Sequence, residues 1–236
     1  LPTGMWQYLG GILDATAPGR LTVKEGGWTG AVKAANVSPM RIQPGGGNLL
    51  YPPPGTKLLV TGRRGDEARV ELAPGYHAWI ASSAIEALPA GTPPPRATLG
   101  TVRTLAEADS TVVHLGLTDR VPFSLETDAA VGQLKALLFY ASGHVNWIVY
   151  DSSDTMVRQV QWKQEGPGVA SVTVEIAPGA RLWGYHASWD AAGLRLELRH
   201  PPALKAGGPL KGRAVVIDPG HMPSAPGTVG PRGTLE

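Results

Sequence analysis

Glycine and proline interrupt this chain too often for long helices to form between them. It holds 31 glycines and 22 prolines in 236 residues, roughly twice the average share. Each favours a turn or an element end over a helix interior. Hydrophobic residues still make up 42% of the chain, which supports packed cores and argues against wholesale disorder. The expected fold is therefore mainly β, with short strands set between turns.

Two proline-rich stretches divide the sequence. Ala87–Arg96 carries Pro89 and the run Pro93-Pro94-Pro95, which favours an extended backbone. Pro201–Leu210 is the second. The reading gives an N-terminal β segment over 1–29, a small barrel over 30–88, a linker over 89–96, a β-sandwich over 97–201, a linker over 202–212 and a C-terminal stub over 213–236. In the first units, Gly26-Gly27 reads as a turn between Leu21–Lys24 and Trp28–Val32. Lys57–Thr61, Glu67–Leu72 and His77–Ile80 read as strands, with Pro74-Gly75 as a turn. In the sandwich, strands are expected at Thr111–Leu117, Val121–Glu126, Leu134–Tyr140, Val145–Tyr150, Val157–Trp162, Ala170–Ile176, Arg181–Tyr185 and Leu194–Leu198. Pro122 marks its strand as an edge. Helix competes only at Ser82–Ala87 and Asp128–Leu137.

Composition removes several function classes. The chain has 21 Lys and Arg against 19 Asp and Glu, and its longest basic run is Arg63-Arg64. That is no footprint for nucleic acid. Cysteine is absent, which excludes thiol catalysis, iron–sulfur clusters, Cys-type zinc sites and disulfides. No stretch approaches the roughly 20 apolar residues of a membrane-spanning helix. The chain starts at Leu1 rather than Met, so it reads as a processed product, with a secretory signal expected upstream.

The chemistry concentrates in the last 24 positions. Arg213–Ile217 contains the apolar run Ala214-Val215-Val216-Ile217, suited to a buried parallel strand, and ends in Asp218-Pro219-Gly220-His221. Functional residues of α/β sheets sit just past strand carboxyl ends. Glu236 follows after a glycine-rich loop. A His and a carboxylate suit a zinc that takes three protein ligands and keeps one position open.

This segment, with Pro226–Glu236, resembles the opening of the zinc-dependent N-acetylmuramoyl-L-alanine amidases of cell-wall turnover. The resemblance implies that the stub is the first strand and zinc loop of an α/β amidase domain. It makes His221 and Glu236 the first two zinc ligands. The family follows that His with two glycines, whereas Met222-Pro223 stand here, so the loop takes another path. The remaining His ligand and the catalytic Glu are expected beyond Glu236. No catalytic residue then lies within this chain. By itself it is expected to be inactive and not to bind the zinc of the complete enzyme.

The preceding units look like that family's companions. Residues 30–88 resemble a bacterial Src-homology-three type barrel, on Val37–Ile42, Pro52–Val60, Ala68–Leu72 and Ala78–Ala81. Residues 97–201 resemble the β-sandwich targeting domains that precede such amidases. The implied function is the wall-targeting part of a peptidoglycan hydrolase in the extracytoplasmic cell envelope. Its partners would be the glycan or stem peptide of peptidoglycan and other envelope proteins. The alternative is a non-enzymatic envelope-binding or scaffold protein.

Aromatic residues are the candidate wall contacts. Trp147 and Trp183 lie among Tyr150, Trp162, Tyr185 and Trp189, and could form a glycan platform, although strand packing also uses aromatics. Tyr51 and Tyr76 could line a peptide groove on the barrel, whereas Trp79 reads as core. Asp151 and Asp154 read as turn formers. His77, His114, His144, His186 and His200 have no ligand spacing.

Overall fold

The structure, a computed structural model, describes residues 22–33, 38–203, 208, 211–212, 214–217 and 227–233. The described residues contain no α-helix, and strands dominate. Asp128–Leu137 and Ser82–Ala87 are not helical, apart from one 3-10 turn at Ser82–Ala84. The chain divides into two units, Leu1–Pro201 and Pro202–Glu236.

Seven strands open the first unit: β1 (Thr22–Val32), β2 (Met40–Arg41), β3 (Asn48–Leu50), β4 (Lys57–Arg64), β5 (Glu67–Ala73), β6 (Tyr76–Ala81) and β7 (Ile85–Ala87). They form one antiparallel sheet in the order β3-β2-β6-β5-β4-β1-β7. β4 and β5 alternate buried and half-buried positions over most of their length, as period-two sequences require. The buried side chains of β1 to β7 meet in one cluster that includes Val32, Met40, Leu50, Leu58, Val70, Ile80 and Ile85. The sheet therefore curls around its own core.

Gly26-Gly27 are not a turn. β1 runs through them and across the expected boundary at 29/30. Val23 faces Gly62 while Trp28 faces Val60, so residues 24–27 bulge out of the ladder. Gly27 adopts φ +60°, and a Cβ there would stand 2.8 Å from the Val60 carbonyl oxygen. Two consecutive glycines fit a bulge as well as a turn, and pairing with β4 selects the bulge.

Ten strands follow: β8 (Ala97–Ala106), β9 (Ser110–Leu117), β10 (Phe123–Asp128), β11 (Gln133–Phe139), β12 (Ala141–Gly143), β13 (Ile148–Val149), β14 (Val157–Gly166), β15 (Val169–Ile176), β16 (Gly184–Trp189) and β17 (Gly193–Arg199). One sheet has four strands in the order β10-β11-β15-β14. The other runs β12-β8-β9-β17-β16, with β13 also paired to β8. β10 is an edge strand, in keeping with Pro122 just before it. The strand expected at Arg181–Tyr185 starts only at Gly184, and that expected at Val145–Tyr150 is reduced to two residues.

The two sheets face each other over one core. Leu99, Val113, Leu115, Leu194 and Leu196 come from one side, and Leu134, Ala136, Leu138, Val160 and Val172 from the other. β11 is buried on both faces. Leu134, Ala136 and Leu138 enter this core, while Leu137 and Phe139 enter the core of the curled sheet. The four-stranded sheet is thus a shared middle layer.

Three contacts lock the layers together. Tyr76 and Phe139 stack with ring centroids 5.6 Å apart. The Tyr140 hydroxyl accepts the Leu59 N–H at 3.2 Å and donates to the Glu71 carbonyl. Lys57 pairs with Asp119 at 2.7 Å. The proline-rich stretch also packs against β1, because the Thr29 hydroxyl donates toward the carbonyls of Thr92 and Pro93 at 3.2 and 3.1 Å.

In the second unit, Ala214–Ile217 form no strand, against the expectation of a buried parallel strand. Val215, Val216 and Ile217 are 64%, 91% and 82% exposed. A parallel strand depends on hydrogen-bonded neighbours, and no strand is paired to this segment among the described residues.

Candidate functional site

The two expected zinc ligands, His221 and Glu236, lie outside the described residues. Among the described residues no three His, Asp or Glu side chains gather as a metal site. No described helix is long and apolar enough to cross a membrane.

The four candidate wall contacts separate by location. Tyr76 is 1% exposed, so it lines no surface groove. It anchors the core through its stack on Phe139, and burial, followed by the charge of Glu126, raises its phenol to a pKa of about 12. Its flanking turn at Pro74-Gly75 suggests exposure, but β6 turns this ring inward. Trp79 is core as expected, at 6% exposed. Tyr51 is 55% exposed, and its hydroxyl accepts from Asn48 Nδ2 at 2.8 Å.

Trp147 and Trp183 are the most exposed aromatics of the sandwich, at 70% and 68%. The Trp147 carbonyl accepts the Val102 N–H at 3.1 Å, which places it beside β8 at one edge of its sheet. The Trp183 N–H donates to the Arg199 carbonyl at 3.0 Å, just before β16 at the opposite edge. Four strand intervals separate those edges, about 19 Å at the usual spacing. No single sugar ring can touch both. Tyr150, Trp162 and Trp189 make contacts within the sandwich, and Tyr185 is 42% exposed. The Tyr150 hydroxyl accepts the Val160 N–H at 2.8 Å and ties its loop to β14. Trp162 lies against Gly143, and Trp189 meets Phe123 edge-on at 6.1 Å.

The acidic turn behaves as its residue types suggest. Asp151 accepts from the Ser153 hydroxyl and N–H and from the Ala106 N–H. These bonds, the Ser153 hydroxyl foremost, hold its carboxyl below the usual range. Asp154 Oδ1 accepts from the Met156 N–H and the Thr111 hydroxyl, both at 2.8 Å. Thr111 Oγ1 also lies 3.1 Å from His200 Nε2. Because the Thr111 proton goes to Asp154, His200 Nε2 must be the donor to Thr111. The chain His200–Thr111–Asp154 therefore runs away from a nucleophile. It lacks the base-on-hydroxyl order of a hydrolytic triad.

One concave site lay beyond the sequence reading. A pocket of about 350 Å³ is lined by Trp28, Val60, Gly62, Arg63, Ala68, Ser82 and Ile85. It sits beside the bulge of β1. The signal for it was Gly26-Gly27-Trp28-Thr29-Gly30, an indole set between glycines, which reads as a turn and a strand until the bulge is known. Comparison with protein-family models, curated proteins and solved structures finds no match to this chain.

Proposed function

We propose that this chain is the wall-targeting part of a zinc-dependent N-acetylmuramoyl-L-alanine amidase that acts on peptidoglycan in the extracytoplasmic envelope. The observation that carries the reading is the run Val215–His221 followed by Pro226–Glu236, with its fixed order of Asp-Pro-Gly-His, glycine-rich loop and glutamate. His221 and Glu236 would be two of the zinc ligands. A catalytic zinc takes three, so the reaction needs residues that these two do not supply. When bound, zinc supplies an activated water and polarises the amide carbonyl. The first unit would hold the enzyme on its polymer, with exposed Trp147, Trp183 and Tyr51 as separate contact points rather than one platform.

The test uses the complete gene product and purified peptidoglycan. The reading expects release of stem peptides with a new free L-alanine amine, abolished by a zinc chelator. Residues 1–236 alone should release none. A complete product that binds wall but frees no stem peptide would favour the second reading, a non-enzymatic envelope-binding protein. That reading draws on the two cores of the first unit, whose described members all lie between Val32 and Leu198.

A further inference from the structure

The pocket beside Trp28 has walls of unlike chemistry. Val60, Ala68 and Ile85 are 2%, 3% and 6% exposed and make an apolar floor. The Trp28 indole, 37% exposed, forms one side. Its seat is Gly30: a Cβ there would come within 2.7 Å of the ring and 2.5 Å of an Ile85 methyl. Glycine at position 30 is therefore what lets the ring lie along the strand.

Two polar groups complete the pocket. Ser82 Oγ is buried and has no hydrogen-bond partner. A buried hydroxyl left so is unfavourable unless a guest satisfies it. Among the described lining residues Arg63 is the one cation. Its Nε donates to the Gly65 carbonyl at 2.7 Å, which fixes the guanidinium. Its Nη2 is 3.6 Å from Asp66, whose carboxylate is fully exposed. A long contact to a solvated carboxylate is weak, so the Nη groups can still grip an anion bidentately.

An apolar floor, one unsatisfied hydroxyl and one fixed guanidinium select a small apolar group that carries a carboxylate. The volume is at the lower end for small-ligand sites, which favours a terminal residue or two over a length of glycan. We infer that this pocket binds the free C-terminal carboxylate of a short peptide ending in a small apolar residue. Resting on the wall-binding reading above, the ligand class is the uncrosslinked end of a peptidoglycan stem peptide. The apolar residue packs over the adjoining Trp28 ring and Ile85 methyl, Arg63 holds the carboxylate, and Ser82 donates to it or to the last amide carbonyl.

The test titrates residues 1–236 calorimetrically with N-acetyl-D-alanyl-D-alanine and with its C-terminal amide, alongside pelleting on purified peptidoglycan. The free acid should bind at least ten-fold more tightly than the amide. Arg63→Gln should bind both forms equally, and Arg63→Lys should restore part of the difference. Trp28→Ala should weaken both at least ten-fold. Arg63 is exposed, so Arg63→Gln keeps the fold and remains decisive even if Trp28→Ala unfolds the chain. Equal binding of acid and amide by the unaltered chain, binding of neither, or discrimination that survives Arg63→Gln would overturn the inference. Any of these together with normal pelleting leaves the wall-binding reading standing. Loss of pelleting by the unaltered chain overturns that reading itself.

Discussion

Tyr140 packs against both cores. It adopts φ +53°, the sole left-handed non-glycine residue among those described, where the chain leaves β11 for β12. Its hydroxyl joins Leu59 to Glu71 across two strands. Burial first, and the charge of Glu71 with it, push this phenol far above its ordinary pKa. Tyr140→Phe leaves the Leu59 N–H and the Glu71 carbonyl short of a partner. The expected loss is about 1–3 kcal/mol, read as a lower urea midpoint at unchanged m-value. Gly193 predicts a larger effect. It has φ +152°, and a Cβ would stand 2.0 Å from the Leu115 carbonyl oxygen, a contact that only backbone movement relieves. Gly193→Ala should cost more than about 2 kcal/mol, by the same measurement.

Glu165 sets the acid limit of the sandwich. It is 11% exposed and bonded to Lys135 at 2.8 Å, Lys163 at 2.9 Å and the Ser171 hydroxyl at 2.8 Å. Burial opposes its ionisation, but these donors outweigh burial and lower its pKa to about 2. The folded value lies below the unfolded one, near 4.3. Its stabilisation is therefore complete above about pH 4.5 and is lost as pH falls toward 2. Glu165→Gln should flatten that part of the stability profile by on the order of 2–3 kcal/mol, with little change in slope above pH 6.

At the scale of elements, legibility followed the period of two. Glu67–Leu72 and Ala170–Ile176 alternate cleanly and became β5 and β15. β8 was not legible, and its bulge explains why. Leu99 and Val102 are both fully buried, yet they are three residues apart. Only the register shift between them puts both on the core face, so the alternation changes phase inside the strand. β16 has no buried residue and thus no pattern to read. Leu134–Tyr140 reads as a strand, but its two destinations are hidden in the sequence. A strand buried on both faces looks the same whether its second neighbour is a helix layer or another sheet. That double role predicts that Phe139→Ala, at a side chain 1% exposed, costs about 3–5 kcal/mol. The loss should show in probes of the curled sheet and of the sandwich alike.

For the molecule as a whole, the sequence suggested a barrel and a sandwich joined by a proline-rich tether. The structure gives them a shared layer and bonds the tether to β1. Residues 22–201 should therefore unfold in one cooperative transition, with calorimetric and van't Hoff enthalpies equal. Two separated transitions would show that the layers are independent. The candidate site was less legible than the fold. Motif spacing named His221 and Glu236, whose surroundings it could not supply. Residue type alone could not tell buried Tyr76 from exposed Tyr51. The pocket beside Trp28 depends on a bulge that two glycines permit but do not announce.

The central claim is that the first unit by itself recognises peptidoglycan. The most direct measurement is co-sedimentation of residues 1–201 and residues 1–236 with purified sacculi, compared over a range of polymer concentration. The account predicts saturable pelleting of both with equal half-saturation. Both chains remaining in the supernatant, or pelleting that requires residues 202–236, would contradict it.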